Sequence, residues 1–74
     1  MIENPQPGDK GFTRAGQKIK IYRIHGKHAG QYPVEAQLKT TSGEWVTVWL
    51  TIEGYEYGAN KETENDMVRK ADWL

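Results

Sequence analysis

Between Tyr32 and Ile52 the chain alternates apolar and polar side chains twice over, on either side of a turn. Tyr32, Val34, Ala36 and Leu38 share one parity, and Glu35, Gln37 and Lys39 the other. Val46, Val48, Leu50 and Ile52 then alternate with Trp45, Thr47, Trp49 and Thr51. A repeat of two is the side-chain period of a strand. Thr40-Thr41-Ser42-Gly43-Glu44 has the residues of a turn, so the segment reads as an antiparallel hairpin. Pro33 offers no N–H to a ladder and therefore sits at the strand's start or at an edge. No stretch carries three turns of helical periodicity with caps, so the hairpin has only further strands to pack against.

Those strands are short. Residues 1–8, with Pro5, Pro7 and Gly8, read as an extended lead-in. Asp9 to Thr13 is expected as a first edge strand, and Arg14 to Gln17 as a turn. Lys18 to Ile24 is rich in β-branched and aromatic residues and reads as a strand with imperfect alternation. Ile19 and Ile21 share one face, Tyr22 and Ile24 the other. A bulge near Ile21 and Tyr22 would bring both pairs to the core; otherwise the strand is covered on both faces. His25 to Gln31 is a loop, Glu53-Gly54 a turn, and Tyr55-Glu56-Tyr57 the start of another short strand. Residues 58–66 are polar and read as a mobile loop in preference to a single helical turn. Met67 to Arg69 is a last strand, and 71–74 a tail whose apolar end docks or frays. The expected fold is one mostly β domain over residues 1–74. Five or six short strands form a small SH3-like antiparallel barrel or a strongly curled sheet, and curling also removes exposed edges.

Seventy-four residues leave room for one core, which buries roughly 60% of the surface of the unfolded chain. Cysteine is absent, which excludes disulfides, thiolate metal sites and cysteine nucleophiles and favours a reducing cytoplasm. The first residues lack the basic and apolar regions of a signal peptide. Trp45 to Ile52, the longest nearly apolar run, is far short of the ~20 residues of a membrane helix, so no membrane contact is expected.

Ten basic and ten acidic residues give a formal net charge of zero. Residues 1–37 hold six basic and three acidic groups, and 38–74 hold four and seven, so the halves are +3 and −3. A dedicated nucleic-acid binder ordinarily carries a basic excess, so the balance favours two oppositely charged faces.

Candidate chemistry is sparse. Ser42, the chain's one serine, lies in a hairpin turn with no histidine near it in sequence, and no catalytic residue is assigned. His25 and His28 could offer two imidazoles to a metal only if Glu35, Glu53 or Glu56 joined them by folding. Glu62, Glu64 and Asp66 resemble the start of a calcium loop, but the later glycine and bidentate glutamate are missing. Neither a metal nor a cofactor is expected.

Two binding surfaces remain. Trp45, Thr47, Trp49 and Thr51 lie opposite the aliphatic face of their strand, and exposed tryptophans suit a protein interface. The competing expectation packs Trp45 or Trp49 under the 58–66 loop or the tail. Lys18, Lys20, Arg23, Lys27 and His28 form a basic cluster with Tyr22 and Tyr32 nearby, the elements of an anion or nucleic-acid site.

Pro7-Gly8-Asp9, Gly30-Gln31-Tyr32-Pro33-Val34, Thr51-Ile52-Glu53-Gly54-Tyr55 and Asp66-Met67-Val68 follow one another in an order that resembles small phage and prophage proteins. Their pattern is G-D, then G-x-Y-P, then T-x-D-G-x-Y, then D-L-V. This chain has Glu53 for the usual Asp, Met67 for the usual Leu, and Leu50 rather than an aromatic before Thr51. The resemblance covers residues 7–68, implies a compact β-barrel-like phage accessory protein, and transfers no catalytic residue. The leading expectation is a non-enzymatic interaction module in the cytoplasm of the bacterial host, binding a host or defence protein. The alternative is a nucleic-acid or nucleotide binder using the 18–28 segment. A homodimer is also compatible with the small core and surplus aromatics.

Overall fold

The computed structural model describes residues 2–26, 30–58 and 61–73. Five strands form one antiparallel sheet: β1 (Lys10–Thr13), β2 (Lys18–Ile24), β3 (Val34–Lys39), β4 (Trp45–Leu50) and β5 (Met67–Lys70). Their order across the sheet is β4-β3-β2-β1-β5. The sheet is not closed into a barrel, and β4 and β5 are its two edges. The radius of gyration, 11.1 Å, matches the about 11 Å expected of a compact domain this long.

The hairpin forms as its alternation requires. Val34, Ala36 and Leu38 pair with Leu50, Val48 and Val46, and Glu35, Gln37 and Lys39 with Trp49, Thr47 and Trp45. Pro33 precedes β3, and its carbonyl accepts the His25 N–H at 2.8 Å.

The alternation of β2 is repaired by a bulge. Ile21 pairs with Ala36 and Arg23 with Glu35, leaving Tyr22 as the extra residue. Ile24 thereby reaches the inner face and packs against the core. Tyr22 does not follow it and stays 54% exposed, because the bulge shifts the register of everything after Tyr22 but not of Tyr22 itself.

Two other expectations are corrected. β1 is an interior strand, paired to β2 on one side and β5 on the other. Residues 55–57 form no strand, because turn and side-chain bonds take their backbone groups. Tyr55 O accepts the Thr51 N–H (2.8 Å), and the Glu56 N–H goes to Asp66 Oδ1 (2.8 Å). In the 58–66 segment, Thr63 and Asp66 are hydrogen-bonded to each other and to neighbouring segments. Asp66 is buried and gives each carboxylate oxygen two donors. Glu56 N–H and the Thr63 hydroxyl donate to Oδ1, and Thr63 N–H and Arg14 Nη2 donate to Oδ2.

The core lies on one side of the sheet. Ile19, Ile21, Val34, Ala36, Leu38, Leu50 and Met67 point into it, joined by Ile2 from the lead-in. Segment 51–58 closes this inner side, with Tyr55 buried and the Gly54 carbonyl accepting the Met67 N–H at 2.9 Å. Gly54 sits at φ 98°, and a Cβ there would collide with the Met67 carbonyl. A glycine is required in that turn.

Candidate binding face

The side of the sheet away from the core is built by the parity of the strands. Residues directly opposite in a ladder share a face. The pairs Lys10↔Lys20 and Phe12↔Lys18, Lys20↔Gln37 and Arg23↔Glu35, Phe12↔Arg69, and Lys39↔Trp45 therefore put Lys10, Lys18, Lys20, Arg23, Lys39 and Arg69 on the outer face. Among the described strand positions of that face, Glu35 is the lone carboxylate, and its Oε1 lies 2.8 Å from His25 Nε2. Across those strand positions six cations thus accompany one acid, which His25 engages.

The same face carries the aromatics. Trp45 and Trp49 are 39% and 45% exposed. The C-terminal tail folds back across the sheet: Ala71 N–H donates to Lys10 O at 2.9 Å, and Trp73 Nε1–H donates to Gly11 O at 2.7 Å. Trp73 then stacks on Trp45, ring centroids 5.8 Å apart and planes at 27°. Lys10 and Lys18 each hold Nζ 5.2 Å from the Trp73 ring centre, and Lys20 lies 5.1 Å from that of Trp45. These are cation–π distances. At the other end His25 leans on Trp49 at 5.1 Å, Arg23 covers Tyr22, and Arg69 covers Phe12 at 4.3 Å.

The two surfaces read separately from the sequence therefore merge. Trp45, Thr47 and Trp49 share a face with Lys18, Lys20 and Arg23. Thr51 does not join them: its hydroxyl accepts the Tyr55 N–H at 3.1 Å and closes the turn after β4. Lys27 and His28 lie outside the described residues. Lys39 joins the face through the alternation of β3, whereas Lys10, Arg69 and Trp73 join it without a sequence signal, because their places depend on the pairings of β1 and on the docked tail, neither of which leaves a local pattern. The tail does pack on Trp45, one of the two outcomes expected for its apolar end.

The other candidates have ordinary partners. Ser42 Oγ bonds Thr40 Oγ1 at 2.9 Å and donates to Glu44 Oε1 at 3.4 Å, which is turn chemistry. His25 is engaged by Glu35 and Trp49, and among the described residues no group of three potential metal ligands converges. A shallow groove lined by Asp9, Lys10, Lys70 and Asp72 holds the Lys70–Asp9 ion pair at 3.0 Å. No helix among the described residues is long and apolar enough to cross a membrane.

Chemically the outer face is a row of ammonium and guanidinium groups set among aromatic rings. It can neutralise anions with the cations and stack planar groups on Trp49 and Tyr22. Compared with protein-family models, with curated proteins and with solved structures, the chain matches none of them.

Proposed function

We propose that this chain is a non-enzymatic binding module whose outer sheet face holds single-stranded nucleic acid. The observation that carries the reading is the interleaving of Lys10, Lys18, Lys20 and Arg23 with Trp45, Trp73, Trp49 and Tyr22 on one face. Cations alone would suit any polyanion. Rings alone would suit any apolar partner. Together they fit a strand whose phosphates need charge and whose unstacked bases need a flat surface. Rings left open on the face suit the unstacked bases of a single strand better than the stacked bases of a duplex.

A strand order with β5 beside β1, together with the bulged β2, supports the finer reading of the fold as an SH3-like, partly open barrel. That architecture does not select a function by itself. The ordered motifs at residues 7–68 support an accessory role in a phage-infected bacterial cytoplasm. They also favour a second reading, in which the face takes an acidic surface of a host or defence protein, with Trp45 and Trp49 as anchors.

Fluorescence anisotropy with labelled single-stranded and duplex oligonucleotides over a salt series tests the proposal. Single strands should bind more tightly, with affinity falling as salt rises. Replacing Lys18 and Lys20 by Ala should flatten the log–log salt slope by about 1.4, at ~0.7 for each single-strand phosphate no longer neutralised. Trp49→Ala should cost about 1–3 kcal/mol of stacking. No binding at low salt, alongside binding to poly-glutamate, would move the assignment to an acidic protein partner.

A further inference from the structure

The two edges of the sheet are managed very differently. An edge strand exposes unpaired N–H and C=O groups and is ordinarily blunted by shortness, charge, proline or a bulge. β5 has such protection: it is four residues long, carries Arg69 and Lys70, and is offset by a register shift between Phe12 and Thr13. Its Met67 N–H is also taken by the turn at Gly54. β4 has none of this. Trp45–Leu50 contains no charge, proline or glycine, and its register with β3 runs unbroken over six pairs.

This edge, which no strand among the described residues pairs with, is also self-complementary. The Thr40 N–H donates to Glu44 O at 2.7 Å, so Thr40 and Glu44 form a hydrogen-bonded pair. The alternation of an antiparallel ladder then turns the backbone groups of Val46, Val48 and Leu50 towards β3, and those of Trp45, Thr47 and Trp49 outwards. A second copy running antiparallel, with Thr47 on the two-fold axis, sets Thr47 against Thr47 of the second copy. Trp45 then faces Trp49 of that copy on the outer side, and Val46 faces its Val48 on the inner side. No like charges meet, and apolar residues lie opposite apolar residues, as an isologous interface requires. Val46, now 40% exposed although Leu38 opposite it is buried, would be covered.

We infer that β4 is a homodimerisation edge, joining two copies into one continuous ten-stranded sheet through a two-fold axis at Thr47. The occupant is a second copy rather than an extended segment of another protein, because the uncharged, palindrome-like order of Trp45, Thr47 and Trp49 completes itself without any other partner. The inference stands apart from the nucleic-acid reading, although the dimer would make the two basic-aromatic faces continuous.

Sedimentation equilibrium over about 1–500 μM tests it, with the full chain and no nucleic acid. The weight-average mass should climb from 8.5 kDa towards twice that value. Thr47→Pro removes an outward N–H without breaking a bond to β3, and should leave a monomer with unchanged circular dichroism. Thr47→Lys sets two cations against each other on the axis and should do the same, which keeps the test informative if the proline variant fails to fold. Thr47→Cys in this cysteine-free chain should oxidise to a covalent dimer, since Cα atoms facing across such a ladder lie about 5.5 Å apart; Arg69→Cys on the guarded edge should not. A wild type monomeric at every concentration overturns the inference. So does a dimer that survives Thr47→Lys, or cross-linking equal at both cysteines.

Discussion

At Asp66 the chain takes a carboxylate to 1% exposure and supplies four donors to hold it there. Burial opposes its ionisation, but hydrogen bonds from the Glu56 and Thr63 amides, the Arg14 guanidinium and the Thr63 hydroxyl outweigh that effect. Together they hold the carboxyl below the usual aspartate range. A native pKa below the unfolded value of about 3.9 means the unfolded chain binds the proton first. The stabilisation is therefore fully present at neutral pH and is lost as pH falls from about 5 through the native value. Asp66→Asn turns an amide NH₂ towards N–H donors and should cost about 2–4 kcal/mol at pH 7. Urea unfolding at pH 7 and at pH 3 checks this: the variant's deficit should shrink in acid, and an equal deficit at both would reject the ionised network. From the sequence Asp66 looked like one carboxylate among three in a polar loop. The Asp66-Met67-Val68 motif sets it apart from Glu62 and Glu64, but nothing local points to its burial, because its donors come from Arg14 and Glu56 as well as from nearby Thr63. Ile2 carries no local signal of burial for the same reason: its place depends on the turn at Glu53, whose carbonyl accepts its N–H at 3.2 Å.

Among the elements, the hairpin was legible because its signal is short-range: two alternating runs and a turn that fix each other's register. The bulge in β2 was legible too, as a break in parity. The interior position of β1 and the fate of residues 55–57 were not, since both depend on β5 returning from far along the chain. The tail belongs with these long-range features. Gly11 lies where a Cβ would meet the Arg69 carbonyl, so β1 and β5 approach closely there, and the Gly11 carbonyl is left to accept from Trp73. Trp73→Ala removes that bond and the ring stacked on Trp45. A loss of about 1–2 kcal/mol is expected, less than the 3–5 typical of a fully buried tryptophan, because the ring is only half-buried. Trp45, on which Trp73 stacks, should at the same time become more open to acrylamide quenching. Unchanged quenching with unchanged stability would mean the tail does not hold the face together.

For the whole molecule, the zero net charge conceals a segregation that the fold sharpens. The +3 and −3 halves of the sequence do not simply become two lobes, since Lys39 and Arg69 from the acidic half join Lys10, Lys18, Lys20 and Arg23 on the outer face. Glu53, Glu56, Glu62 and Glu64 instead belong to the segment that closes the inner side or adjoins it. Ion binding depends on the local field and not on the total charge. The chain should therefore be retained by a sulfonate or phosphate cation exchanger at pH 8, above its sequence pI of about 6.7, where its average charge is negative. Retention should fall with salt as the ~8–10 Å screening length shortens. Lys18→Glu combined with Lys20→Glu should abolish it, whereas reversing Lys61 and Lys70, which lie off this face, should leave it nearly intact. Flow-through of the unaltered chain at low salt would show that Glu35 and the inner-side acids cancel the face's field, and would remove the electrostatic ground for any polyanionic partner.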